Sequence, residues 1–96
     1  MYHEILKLCM GRLNRLWAQQ YGTTDGLTEY LTARINGAVE EFMRMGIALT
    51  GSPDDNLLAA DYVCWQYSNR DKGDDDPAWL RRRIRNRWLG EVRNDP

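Results

Sequence analysis

The chain has 96 residues and a mass of 11.2 kDa, the length of one domain. Hydrophobic residues make up 43% and charged residues 28%, which is the ordinary globular range and excludes a disordered or fibrous chain. Thirteen Lys and Arg against fourteen Asp and Glu leave a net charge of −1, so bulk charge indicates neither a polyanionic nor a membrane partner.

The two cysteines, Cys9 and Cys64, both lie in apolar helical patterns. Short secreted chains usually carry several disulfides, so we interpret these residues as two buried thiols, with a single Cys9–Cys64 disulfide as the alternative. Charged residues interrupt the first ten positions, which do not read as a leader peptide. The longest apolar run is Leu57–Ala60, far short of the ~20 residues that span a bilayer. We therefore expect a soluble protein of a reducing compartment with no membrane partner.

Only the helical period of 3.6 residues recurs along the chain, and no stretch alternates for long enough to predict a strand. Helices are predicted over about 2–19 and 27–45, and Asp25 is predicted to cap the second. The apolar stripe of the first helix consists of Ile5, Leu6, Cys9, Leu13, Leu16 and Trp17. The stripe of the second consists of Leu27, Leu31, Ile35, Ala38, Phe42 and Met45.

A third helix is predicted over about 53–70, and Ser52–Asp55 gives it the clearest start signal in the chain. A serine cap, a proline in the first turn and two carboxylates satisfy free N–H groups and favour the positive end of the helix dipole. Apolar side chains then point nearly all the way round. Such a helix must be covered on every side, so it is either the central helix or is covered in part by another subunit.

A fourth helix is predicted over about 77–92, after a charged turn at Asp71–Asp76 in which Asp76 and Pro77 repeat the cap-and-proline signal. The last three residues, 94–96, are predicted to fray. The predicted architecture is all-α: a small bundle of about four helices that forms one domain over residues 1–96.

Catalytic and metal-binding patterns are absent from the sequence. The only histidine, His3, falls on the polar side of the first helix, so a nucleophile would lack a base. Cysteine and histidine do not have zinc spacing, and the aspartates of the turn do not follow the calcium-loop pattern. We therefore predict a protein that is not an enzyme, with no catalytic, cofactor-binding or metal-binding residues.

The fourth helix carries the strongest asymmetry, because its six arginines against Glu91 give a local charge of +5. Its core stripe is predicted to consist of Leu80, Ile84, Trp88 and Val92. Off that stripe lies a predicted subunit or partner contact surface made of Trp79, Arg82, Arg83, Asn86, Leu89 and Arg93. Exposed Trp and Arg are typical of interaction hot spots. In the alternative interpretation, Trp79 packs locally over the preceding turn.

Arginines of this kind suit either DNA phosphates or the carboxylates of a protein partner. The acidic run at 71–76 carries a net charge of −3 and complements the basic helix, which favours head-to-tail association into a ring. Asp61 is placed among apolar neighbours on the third helix. We predict that it is a buried structural residue paired with an arginine of the fourth helix or with Arg34.

Three segments, Leu27–Ala38, Ala60–Asp71 and Arg83–Glu91, together resemble the small head–tail connector (adaptor) proteins of tailed bacteriophages. The resemblance covers residues 27–91 and rests on an aromatic helix that ends in Asn-Arg, followed by a basic helix. It implies a virion protein of the neck, present in host cytoplasm during assembly, whose copies form a ring of about twelve on the portal vertex. The implied partners are the portal protein, the next neck or stopper protein and further copies of the chain.

The resemblance further implies that DNA passes through the channel of the ring without specific binding. Helices three and four would lie at subunit contacts, and the segment from Leu89 onward would face the portal. The alternative function is a small helical nucleic-acid-binding protein that uses the basic helix 77–92, and a third is a helical adaptor that binds one host protein. The acidic turn before that helix would repel phosphate, which favours the connector interpretation.

Overall fold

A computed structural model describes residues 1–70 and 76–93 of the chain. It contains four helices: α1 Tyr2–Tyr21, α2 Leu27–Arg44, α3 Pro53–Ser68 and α4 Ala78–Arg93. Within the described ranges no strand occurs, and the predicted all-α bundle of four helices is confirmed. The molecule measures 51 × 28 × 18 Å along its principal axes. The predicted charged turn at 71–75 and the predicted frayed end at 94–96 lie outside the described residues.

The core lies between α1, α2 and α3, and α3 occupies the centre. Helix α3 packs against all three other helices, whereas α4, within the described part of the chain, packs against α3 alone. Of the two predicted arrangements, the central helix and the helix covered by another subunit, α3 adopts the central one. The largest fully buried side chains come from every helix and from the linker before α3: Ile5, Cys9, Leu27, Leu31, Ile35, Phe42, Ile47, Val63 and Leu80.

At the end of α2, one residue of the predicted apolar stripe, Met45, is not in the core. Gly46 has a φ of 89°, its N–H donates to the Met43 carbonyl, and the Ile47 N–H donates to the Phe42 carbonyl at 2.8 Å. This is the Schellman arrangement, in which the residue after the left-handed glycine packs back on the last turn. Ile47 is therefore fully buried and Met45 is 39% exposed, so the predicted core position of Met45 is wrong.

The start of α2 also differs from the prediction, because Gly26 rather than Asp25 occupies the cap position. Gly26 has a φ of 84°, and no side chain caps the helix. The Asp25 carbonyl instead accepts the indole N–H of Trp17 at 3.1 Å. The loop before α2 is thus tied to α1, and the predicted cap by Asp25 is wrong. Leu16, also predicted to be in the core, is about half exposed, and no described contact explains its position.

The start of α3 matches its sequence signal. The Ser52 hydroxyl accepts the backbone N–H of Asp55 at 3.2 Å, and Pro53 occupies the first turn. Helix α4 begins at Ala78, one residue after the predicted start, and the Pro77 carbonyl accepts the Arg81 N–H at 3.0 Å. Helices α3 and α4 lie side by side. Arg83 and Arg87 of α4 contact Asp61 and Asp55 of α3.

Candidate interaction surface

The packed side of α4 differs from the predicted core stripe. Leu80 is fully buried, whereas Trp88 and Val92 are exposed. A step of four residues turns a helix by about 40° beyond a full turn, so a stripe built from such steps drifts off the packed side. Positions about two and three turns beyond Leu80 stay in register, and they hold Arg87 and Glu91. The predicted stripe is therefore wrong in its second half, where polar side chains take the packed positions.

Arg87 forms a two-point ion pair with a buried carboxylate at the start of α3. Its Nε donates to Asp55 Oδ1 at 2.7 Å, and its Nη2 donates to Asp55 Oδ2 at 3.2 Å. The same carboxylate accepts the backbone N–H of Thr50 at 2.8 Å and the Thr50 hydroxyl at 3.0 Å. Asp55 is only 4% exposed. Sequence reasoning missed this pair because capping already accounted for Asp55.

The linker between α2 and α3 is tied to α4 at the same place. Arg87 Nη2 donates to the Ala48 carbonyl at 2.9 Å, and Glu91 Oε1 accepts the Ala48 N–H at 2.9 Å. Both backbone polar groups of one linker residue, Ala48, are thus satisfied by side chains of α4. The spacing of Arg87 and Glu91, one helical turn apart, is the sequence signal that points to this arrangement.

Asp61 joins three helices. Its two carboxylate oxygens accept hydrogen bonds from Arg12 of α1 and from Arg83 of α4. Arg83 is one of the helix-four arginines that the sequence offered as a partner, whereas Arg12 was not considered. Arg34, the other predicted partner, donates to Gln66 Oε1 at 3.3 Å instead. The side chain of Asp61 is partly rather than fully buried.

Both carboxyl groups that hold α4 have shifted pKa values. Burial opposes the ionisation of Asp55 and of Asp61. The arginine pairs, together with the hydrogen bonds from Thr50 to Asp55, outweigh this penalty and place the pKa of each carboxyl below its ordinary value. Both groups are therefore charged at neutral pH, and the two ion pairs fix α4 against α3.

The predicted contact residues separate into an exposed set and an internal one. Exposed on α4 are Trp79, Arg82, Asn86 and Arg93. Leu89 is partly buried, and Arg83 is partly buried and bound to Asp61. Arg83 is thus the helix-four arginine that pairs with Asp61 and anchors α4 within the chain. We call the remaining five residues the outer surface of α4: Trp79, Arg82, Asn86, Leu89 and Arg93.

The outer surface combines an aromatic side chain with positive charge. Its members fall within about 80° of one another around α4, given about 100° of turn per residue. Trp79 is 49% exposed, and within the described ranges it has no aromatic neighbour and no hydrogen bond. Arg82 and Arg93 form no ion pair with any described residue. The turn over which Trp79 would pack in the alternative interpretation lies outside the described residues.

Other reactive groups of the described chain do not gather into a site. His3 is exposed at the start of α1, as predicted. Across residues 1–70 and 76–93, no three His, Cys, Asp or Glu side chains are placed to hold a metal ion. Both cysteines are free thiols; Cys9 is buried and Cys64 is only partly buried. None of the helices in these ranges is long and apolar enough to cross a membrane.

The fold and surface define the class only coarsely, as a four-helix bundle with a basic, aromatic face on its last helix. No family model, curated protein or solved structure matches the chain. What this face binds is accordingly a matter for proposal.

Proposed function

We propose that the chain is a structural assembly protein, a head–tail connector that forms a ring on the portal vertex of a tailed bacteriophage and extends its DNA channel. The portal protein, the next neck or stopper protein and further copies of the chain would be its partners. The resemblance of residues 27–91 to connector proteins supplies the identity of the assembly. The outer surface of α4 supplies the means of contact.

The observation that carries the proposal is the exposure of Trp79 beside arginines that form no ion pair with any residue of 1–70 or 76–93, on a helix that is itself anchored. A large aromatic side chain left half in water favours burial against a partner. Arg82 and Arg93 can pair with carboxylates and set the orientation of that partner. Because Arg83 and Arg87 already anchor α4 within the chain, this surface is presented on a defined support rather than on a loose helix.

The decisive experiment mixes the purified protein with DNA-filled heads that carry a portal and images the particles by electron microscopy. A ring of added density at a single vertex is expected. The double variant Trp79→Ala, Arg82→Glu should lose that density while keeping its helical circular dichroism. The variant Arg15→Glu, an exposed change on α1, is the matched control and should bind as the unmodified chain does. Heads that show no added density would overturn the proposal.

The alternative function, nucleic-acid binding through α4, is separated from the first by titrating duplex DNA at two salt concentrations. Arginines that neutralise phosphates release counterions, so the affinity for DNA then falls steeply with salt. Strong binding at low salt that is lost at high salt, and lost in the variant Arg82→Glu, would support the alternative. The connector proposal expects no such binding, because a channel that passes DNA has no need to hold it.

A further inference from the structure

A second exposed feature lies on a different side of α4, where the helix meets the end of α2. Here a groove of about 280 Å³ has a floor of Ile47 and Ile84. Its apolar walls are Met45 and Trp88, and two arginines stand on its rim, Arg81 and Arg85. The groove shares no residue with the outer surface of α4.

The aromatic wall of the groove, Trp88, lies close to the backbone of Gly46. Gly46, in its left-handed conformation, leaves no side chain in the way, and a Cβ at that position would lie 3.3 Å from Trp88 Nε1. Trp88 nonetheless remains 41% exposed, and in the described part of the chain its indole N–H donates to no acceptor. Ile47 beneath it is fully buried. The groove thus offers a fixed apolar floor and a half-exposed indole.

The charge on the rim indicates the kind of partner. Arg81 and Arg85 are exposed and one helical turn apart, and no described carboxylate lies within ion-pair distance of either. Like charges at this spacing repel each other along the helix, which a facing pair of carboxylates would relieve. Arg83 and Arg87, by contrast, have their carboxylates inside the chain. Asp76 is the one described acidic residue that lines the groove.

We propose that the groove is a docking site for a helical segment of a partner protein that presents one large apolar side chain flanked by two carboxylates. The apolar side chain would lie on Ile47 and Ile84 against Trp88. Carboxylates one turn apart on the partner, with Cβ atoms about 6 Å from each other, would match the spacing of Arg81 and Arg85. Phosphates would satisfy the arginines but leave the apolar floor unused, so the groove favours a protein partner over a nucleic acid.

The test measures binding of a short, capped helical peptide with a central phenylalanine between two glutamates four positions apart. A matched peptide carries glutamine at both glutamate positions. The indole resonances of the protein are followed by NMR, and the glutamate peptide is expected to shift the Trp88 signal saturably. The glutamine peptide is expected to bind about tenfold more weakly, because it lacks the charge-assisted hydrogen bonds to arginine.

Variants place the binding in the groove. The double variant Arg81→Gln, Arg85→Gln is expected to weaken the glutamate peptide about tenfold, whereas Arg82→Gln, Arg93→Gln on the outer surface should change its affinity less than about twofold. All four positions are exposed and form no ion pair with a described residue, so both double variants should keep their fold. Equal binding of the two peptides, or equal loss in the two variants, would overturn the proposal. So would displacement of the peptide by duplex DNA or by a second copy of the chain.

This inference does not depend on the connector proposal. A chain that binds the peptide in the groove but adds no density to portal-bearing heads would keep the docking site and lose the proposed function. A chain that forms the ring but binds neither peptide would keep the proposed function and lose the docking site.

Discussion

The Asp55 carboxylate is almost wholly buried, and it stays charged because Arg87 and Thr50 together give it four hydrogen bonds. Removing Arg87 leaves a buried negative charge that only the two hydrogen bonds from Thr50 still stabilise. The variant Arg87→Met is therefore expected to lower the free energy of unfolding by about 3 kcal/mol, measured by urea denaturation at pH 7. The variant Arg85→Met removes an exposed arginine that has no ion-pair partner among the described residues, and it should change that free energy by less than about 0.5 kcal/mol. Similar losses in both variants would show that the Asp55–Arg87 pair has no special role.

Cys64 is the second residue whose environment makes a measurable prediction. The neighbouring Cys9 thiol, aided by the charge of Arg12 and opposed by burial, lowers the pKa of Cys64 to about 7. The neighbouring Cys64 and burial raise the pKa of Cys9, whose thiol donates to the Ala60 carbonyl. The thiolate is the form that reacts with alkylating agents.

Alkylation of Cys64 by iodoacetamide is accordingly expected to rise through a midpoint near pH 7, while Cys9 stays unmodified in the folded chain. In Cys9→Ala the neighbouring thiol is lost, and the midpoint should move up towards the ordinary thiol value. Mass spectrometry of alkylated peptides across a pH series gives both rates. A midpoint that is the same with and without Cys9 would contradict the assignment.

At the scale of the elements, α4 is held differently from the other three helices. Its one fully buried side chain is Leu80, and Ile84 is partly buried against the core. Ion pairs and hydrogen bonds to Asp55, Asp61 and Ala48 also fix it. Segments with few buried apolar contacts open at a lower free energy than the core. Helix α4 should therefore open without the unfolding of α1, α2 and α3.

Amide hydrogen exchange followed by mass spectrometry tests this hierarchy, with α4 expected to exchange before the core helices. Leu31 is fully buried, so Leu31→Asp is expected to remove most of the helical circular dichroism of the whole chain. Ile84 is only partly buried, so Ile84→Asp should remove the protection of α4 and leave that of α1, α2 and α3. Loss of the whole fold in Ile84→Asp would show that α4 and the core form a single cooperative unit.

Local sequence signals predicted the elements more successfully than they predicted side-chain placement. Helical periodicity and the Ser52–Pro53 start give the four helices, because caps and apolar spacing act within a few residues. Met45 and Trp88 were misplaced because apolar spacing alone does not fix which side chains pack. The Schellman end of α2 substitutes Ile47 for Met45, and steps of four residues carry the predicted stripe of α4 off its packed side before it reaches Trp88.

At the scale of the whole molecule, a net charge of −1 conceals how the charges are divided. Two arginines of α4, Arg83 and Arg87, pair with Asp61 and Asp55 within the chain. The exposed arginines lie either at the groove or on the outer surface of α4. The sequence reveals the excess of arginine on one helix but not this division. Which arginines are internal depends on carboxylates that lie 22 and 32 residues away along the chain.

The two internal ion pairs also make the free energy of unfolding depend on pH in the acid range. The pKa values of Asp55 and Asp61 are lower in the folded chain than the value of about 3.9 expected when unfolded. Groups of this kind contribute stability that is complete above the unfolded pKa and is lost as pH falls through the folded pKa. The free energy of unfolding is thus expected to be steady near neutral pH and to fall below about pH 4.

Urea denaturation across a pH series measures this slope, and the double variant Asp55→Asn, Asp61→Asn provides the comparison. Because asparagine does not titrate, the variant should be less stable than the unmodified chain at pH 7, and the difference should shrink as the pH falls below about 4. Hydrogen exchange in the same window should show α4 losing protection before the core, since its two ion pairs are the ones that protonation breaks. A difference in stability that stays constant down to the acid limit would mean that neither carboxylate holds α4 through its charge.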